Sequence, residues 1–343
     1  MIKFIDFPKS YKKIRKEILK EIDRVLLAGD LILRSDVSKF EKRLAKFVGT
    51  SYAVAVNSCT DALYLALRGL KIGQGDEVLV PSRTFVATAQ VIVQVGATPV
   101  FYDLDGILKF TNKTKAIIPV HIEGAFDPHF DEILKLAKTK GWYVIEDAAQ
   151  ALGAIKDGEK AGSFGICGCF SFYPAKILGA YGDAGALTTN DGKLYNWAKD
   201  ARNHFKDDAR DWGVNSRCDN IQAAVLNVRF KYLENTLKRR AEIAKTYLKE
   251  LKGIEGLELP SNIKGRVWQD FIVRTERRNE LFDHLKQNGV EIMKNNYPFP
   301  VPKLPLAQKY ENETLRLPCS PELTNKEIII ICNLIKKFNF KEV

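Results

Sequence analysis

The chain has 343 residues, 45% hydrophobic and 28% charged, enough for one large domain with a sizeable core and a smaller one beside it. Its 53 basic and 42 acidic side chains leave a formal charge of +11, which favours anionic partners. No apolar run approaches the ~18 residues of a membrane span, and the opening MIKFIDFPKSYKKIRKEIL lacks the features of a signal peptide, so no membrane is expected and the expected compartment is the cytoplasm.

In chain order, KSYKKIRKEILKEIDR comes first and carries much of the basic excess, the rest lying in the terminal KKFNFKEV. Ile14, Ile18, Leu19 and Ile22 fall at helical spacing and predict an amphipathic helix with a solvated basic face. None of the recognised nucleic-acid-binding motifs accompanies it, and no nucleic acid partner is expected. YAVAV (52–56) predicts a strand feeding a helix over TDALYLALRGL. Between them, VNSCT puts the amides near Cys59 and Thr60 at a helix N-terminus, where an anion is favoured; a plain N-cap by Ser58 or Thr60 is the competing reading.

EVLV (77–80) with TFVATAQVIVQV, then AIIPV (116–120) with FDEILKLAKTKG, continue the strand and helix alternation as far as the strand WYVIED (142–147). Apolar strand cores joined by helices predict an α/β fold with a mostly parallel sheet covered on both faces. Within HIEGAFDPHFDE, His121, Glu123, His129 and Asp131 are metal-ligand types, but their spacing fits no standard zinc pattern and no metal is expected. WYVIED ends in Glu146 and Asp147, acids at the carboxyl end of a parallel strand, where open α/β sheets bind ligands; helix capping competes. Gly162, Gly165 and Gly168 are spaced GxxGxxG, so they meet no nucleotide fingerprint, and Walker A is absent.

SFYPAKILGAYGDAGALTTND reads as a buried strand giving way to tight turns, with one long cation, Lys176, inside it. From about Asp219 to Leu251 the spacing predicts one long helix. Beyond Gly253 come a strand in RVWQDFIVRT, a helix in RRNELFDHLKQNG and the proline-rich loop NYPFPVPKLP. We therefore expect a large domain over 1–253 and a small C-terminal α+β domain over 254–343. The six cysteines form no CxxC pair and read as small core residues. A helix start for an anion, an acid for a ring nitrogen and a lysine for an aldehyde together make the arrangement that binds pyridoxal 5'-phosphate.

Five segments, GTSYAVAVNSCTDALYLAL, GDEVLVPSRTFVATAQVIVQVGATPVFYDLD, IEDAAQALGA, FSFYPAKILGAYGDAGALTTND and NSRCDNIQAAVL, resemble in that order the DegT-type sugar-nucleotide aminotransferases, from about Asp23 to Glu327. The resemblance implies a fold-type-I pyridoxal phosphate transferase acting as a homodimer with a shared active site. By it Lys176 bonds the cofactor, Asp147 partners its ring nitrogen, Phe85 stacks on its ring, and Gln150 lies near its phenolic oxygen. Cys59, Thr60 and Ser171 would hold its phosphate, and Asn215 would reach the phosphate of the neighbouring subunit's cofactor. Arg217 and Tyr297 are the substrate candidates.

The implied reaction moves an amino group from an amino acid, L-glutamate above all, to a keto-sugar of a nucleoside-diphosphate-6-deoxyhexose in amino-sugar biosynthesis for surface polysaccharide. NSRCDNIQAA resembles the 3-amino-sugar members, which points to a 3-keto substrate. Three positions depart from the pattern: Cys59 and Arg34 stand where members usually carry glycine, and Asn296 where a histidine often precedes Tyr-Pro. Two alternatives remain: a dehydratase of the same family, against which Lys176 argues, and a non-catalytic pyridoxal-phosphate-binding regulator.

Overall fold

The first helix starts at Asp6, whose carboxylate accepts from the Lys9 amide at 2.9 Å, with proline in the first turn and Gly29 closing the far end at φ +68°. This is α1 (Phe7–Ala28). The structure, a computed structural model, describes residues 1–261, 264–294 and 304–340. Ile18 is buried against Val225 and Val228, with Ile14 and Ile22 beside it. Leu19, expected on the same stripe, is exposed, because one residue past Ile18 turns the side chain about 100° around the helix.

Helices and strands then alternate: α2 (Ser35–Val48), β1 (Tyr52–Val56), α3 (Cys59–Gly69), β2 (Glu77–Pro81), α4 (Val86–Gln94), β3 (Thr98–Tyr102), β4 (Thr114–Ile117), α5 (Phe130–Lys140) and β5 (Tyr143–Asp147). A short hairpin, β6 (Ile155–Lys156) and β7 (Glu159–Lys160), precedes β8 (Cys167–Ser171), β9 (Gly185–Thr189) and α6 (Gly192–Ala201). Seven of these strands form one sheet in the order β1-β9-β8-β5-β4-β2-β3. Only β9 runs against the others, as the mostly parallel expectation requires. One apolar cluster, including Phe40, Phe170 and Phe172, covers one face, and another, including Val54, Leu63 and Ile145, covers the other.

Two expected elements come out differently. AIIPV is not one regular strand: β4 ends at Ile117, the Ile118 amide still donates to Leu79 O at 2.8 Å, Pro119 has no amide to donate, and Val120 then bridges Asp147. The long helix is two, α7 (Asn220–Phe230) and α8 (Leu233–Glu250), broken at Lys231 and Tyr232. The remaining elements are β10 (Phe271–Arg274), α9 (Arg278–Gln287), β11 (Met293–Lys294), α10 (Pro305–Glu313), β12 (Thr314–Leu317) and α11 (Asn325–Lys337). The break follows from packing, because α7 lies on α1 and α2 whereas α8 lies on α11, two directions that one straight helix cannot serve.

The second sheet is antiparallel, in the order β10-β12-β11. Its apolar cluster takes Ile243 and Tyr247 from α8 and Leu251 just after it, and is met by Ile2 from the start of the chain. Of RVWQDFIVRT only Phe271–Arg274 is strand; the residues before it run as a connection toward the first sheet.

Candidate active site

Successive residues of a strand face opposite ways, so Glu146 and Asp147 at the end of β5 serve different sides of the sheet. Glu146 is fully engaged: its carboxylate accepts from the amides of Gly162, Phe164 and Gly165, each at 2.8 Å, and from His121 Nε2 at 3.0 Å. His121 Nδ1 accepts from the Asp127 amide at 3.2 Å, which leaves Nε2 as the donor. The GxxGxxG glycines therefore build a loop around Glu146; a Cβ on Gly168 would lie 2.2 Å from Gly162 Cα.

Asp147 is buried on the other side, where Oδ2 accepts from Thr88 Oγ1 at 2.8 Å and Oδ1 from the Ala149 amide at 3.1 Å. Thr84 and Thr88 share a further hydroxyl hydrogen bond at 2.7 Å, and because Thr88 gives its proton to Asp147, Thr84 is the donor to Thr88. Burial pushes the Asp147 carboxyl above its usual range, opposed by the Thr88 and Ala149 hydrogen bonds and then by the Lys176 charge.

Lys176 follows β8 in a tight loop in which Phe172 accepts from the Ala180 amide at 2.7 Å and a Cβ on Gly179 would strike Pro174 O at 2.2 Å. The Lys176 side chain has no hydrogen-bond or ion-pair partner among the described residues. Loss of hydration pushes its ammonium below the usual lysine range, with the charges of Asp270 and Asp147 opposing the fall. Gln222 holds the far end of the loop, exchanging hydrogen bonds with Tyr181 O at 2.9 Å and Tyr181 N at 3.1 Å.

At the start of α3, Ser58 is the N-cap, accepting from the Asp61 amide at 3.1 Å. Capping and anion binding are not exclusive here, since the amides of Cys59 and Thr60 have no acceptor among the described residues. A Cβ on Gly185 would fall 2.2 Å from Ser58 C, so glycine is what lets β9 seat this helix start. Burial first, and the Asp147 charge second, push the Cys59 thiol well above its usual range, with Lys176 opposing. Burial and the Asp147 charge thus both disfavour a thiolate at Cys59.

Gln150 Oε1 accepts from the Glu123 amide at 2.8 Å, and Gln150 lines a small cavity with Arg83, Thr84 and Arg316. Ser171 ends β8, its hydroxyl accepting from the Tyr173 amide at 3.3 Å. Phe85 immediately precedes α4 and is 53% exposed. Asn215 bridges Asn203 in extended backbone with its side chain exposed; α7 begins later, with Asp219 at its N-cap position. Arg217 NH1 donates to Asn203 Oδ1 at 3.0 Å. Arg34 is exposed, 3.5 Å from Asp30, and Asn296 and Tyr297 lie outside the described residues. Sequence reasoning missed Thr88, Gln269, and the ion pair between Asp270 and Arg316 beside Lys176. Thr88 lies one helical turn after Thr84 in TFVAT, a spacing that offered a signal; Gln269 offered none.

Comparison with known families gives a match over residues 12–336. The chain belongs to the DegT/DnrJ/EryC1/StrS aminotransferase family. Among DegT/DnrJ/EryC1/StrS relatives, the dTDP-3-amino-3,4,6-trideoxy-alpha-D-glucose transaminase of Streptomyces venezuelae is 37% identical over 98% of this chain and 96% of its own. The crystal structure of S. venezuelae DesV in complex with a ketimine intermediate superposes with a TM-score of 0.92 at 36% identity, covering 99% of this chain and 98% of that one. A structure of NtdA from Bacillus subtilis with bound cofactor PMP matches at a TM-score of 0.86 and 27% identity, covering 97% and 83%. No helix among the described residues is long and apolar enough to cross a membrane.

Proposed function

We propose that the chain is a pyridoxal-phosphate-dependent aminotransferase, moving the amino group of L-glutamate to the 3-keto group of a nucleoside-diphosphate-6-deoxyhexose. The observation that carries this reading is a poorly hydrated lysine, without a side-chain partner among the described residues, grouped with a buried carboxylate and two helix-start amides that have no acceptor among those residues. These residues fit the cofactor: an amine for its aldehyde, an acid for its ring nitrogen and free donors for its phosphate. When bound, the cofactor supplies an aldehyde and a ring that accepts the electron pair left by deprotonation.

In this reading the Cys59 and Thr60 amides and the Ser171 hydroxyl donate to the phosphate. Phe85 covers a ring face, and the Gln150 NH2, fixed in direction by Glu123, donates to the phenolic oxygen. Asp147, held by Thr88, keeps a proton on the ring nitrogen through its opposite charge. Lys176, whose ammonium burial destabilises, takes and returns the proton at the substrate carbon.

A cavity of about 410 Å³ is lined by Lys13, Arg229, Tyr232 and Arg239. A smaller one sharing Arg229 is lined by Pro174 and Lys176. Three cations suit a sugar diphosphate, in keeping with the +11 charge. We place cofactor binding in 1–253 and a smaller α+β domain in 254–343. The reading includes a homodimer, in which Asn215 reaches the partner's phosphate site with Arg217 near the substrate. Tyr297 is retained as a substrate candidate.

The test is optical and chemical. The purified chain should show a band near ~420 nm that moves to ~330 nm with L-glutamate, and mass spectrometry over a panel of keto-sugar nucleotides should find one aminated. No bound cofactor overturns the reading, a band unmoved by any amino acid leaves the regulator, and a product lighter by one water leaves the dehydratase.

A further inference from the structure

Residues 265–270 lead into the second sheet past the β6–β7 hairpin, Gly124 and the Lys176 loop. Gly265 O accepts from the Ile155 amide at 2.9 Å, and the Val267 amide donates to Gly124 O at 2.8 Å. A Cβ on Gly124 would lie 1.6 Å from Val267 O, and one on Gly265 1.9 Å from Ile155 O, so both approaches demand glycine. From the other side, Arg240 NH1 donates to Trp268 O at 3.0 Å and Gln269 O at 2.8 Å. The backbone at Gln269 is thus fixed on both flanks.

Its side chain, 6% exposed, reaches across to the Lys176 loop. Nε2 donates to Ala175 O at 3.0 Å, and Oε1 accepts from the Ile177 amide at 3.1 Å. One side-chain amide therefore clamps the backbone immediately before and immediately after the lysine. We propose that Gln269 is a positioning residue for Lys176, setting where the lysine amine stands and tying that position to the 265–270 segment. This rests on the proposed role of Lys176. The physical reason is leverage: the peptides on either side fix the direction of the Lys176 Cα–Cβ bond, and an error of ~1 Å at a reacting amine costs about 10²-fold in rate. The same segment holds Gly124, whose neighbour Glu123 orients Gln150, so two sides of the site share one support.

The competing account is that Gln269 only satisfies two buried backbone groups, which would lower stability without moving the amine. Gln269→Leu keeps the volume and removes both hydrogen bonds; Gln269→Asn keeps an amide too short to span them. In the full chain freed of cofactor, the pH dependence of Lys176 modification by an amine-reactive reagent is read by peptide mass spectrometry. In the loaded enzyme, kcat and KM are taken per bound cofactor, well below each variant's Tm. We expect the Lys176 midpoint to rise toward the ordinary lysine value in both variants and kcat to fall about 10²-fold with KM unchanged. A folded variant with the wild-type modification profile, or a loss confined to KM, overturns the proposal. Should Gln269→Leu not fold, Gln269→Asn decides by the same readouts. If the wild-type chain fails to transaminate, the proposed function falls while the modification profile still judges the clamp.

Discussion

Lys176 and Asp147 are held in opposite states of satisfaction, and that contrast is what predicts their mutants. The amine has no partner among the described residues, so Lys176→Ala should leave the fold and non-covalent cofactor binding intact. Single-turnover rates should fall by up to ~10⁴-fold, the upper range for a positioned general base. Wild-type turnover in that variant would remove Lys176 from the mechanism. Asp147 carries a sign that can be checked. Burial raises its folded pKa above the ordinary 3.8, so the folded chain keeps a proton that the unfolded chain has released. The stability this group contributes is full below the unfolded pKa and is lost as pH rises through the folded one. Asp147→Asn has no charge to hold the ring nitrogen protonated and should cost kcat about 10²-fold. Without cofactor, it should remove the fall in stability between the unfolded and folded Asp147 pKa values, as urea melts over a series of pH values would read. An Asp147→Asn apoprotein with the wild-type pH dependence would contradict the burial argument.

Among the elements, α2 shows how much of a helix end comes from elsewhere in the chain. Its N-cap position is Arg34, which makes no side-chain capping bond. The cap arrives from α7 instead, where Asn220 Oδ1 accepts from the Asp36 and Val37 amides at 3.1 and 3.2 Å and Nδ2 donates to the Asp36 carboxylate at 3.1 Å. Asn220 is fully buried, so Asn220→Ala should destabilise the protein by about 2 kcal/mol, measured as a lowered urea midpoint. Turnover per folded molecule should stay at the wild-type value. The NSRCDN segment thus ends in an asparagine that caps a helix nearly two hundred residues earlier in the chain.

For the whole molecule, the sheet order brings the ends of β5 and β8 together with the start of α3, and a homodimer would add Asn215 from the partner. If the site is shared, co-refolding Lys176→Ala with Asn215→Asp should restore activity from two inactive parents. Random pairing makes half the dimers mixed, each with one intact site, so about a quarter of wild-type activity is expected. No recovery after verified subunit exchange, or full activity from a sedimenting monomer, would rule sharing out.

The strands and helices of the first sheet were legible in the sequence because their apolar periods of two and 3.6 are local properties, as YAVAV and TDALYLALRGL show. Lys176 and Asp147 became candidates there because a lone cation and a terminal acid stand out against apolar strand ends. Pairwise geometry was not local and could not be read there. Only the tertiary structure split Glu146 from Asp147, giving one to the 162–165 loop and the other to Thr88. It also broke the helix at Lys231, where packing on α2 gives way to packing on α11. Finally, it carried Gln269 across more than ninety positions of sequence to Lys176, since a hydrogen bond depends on distance in space and leaves no period in the chain.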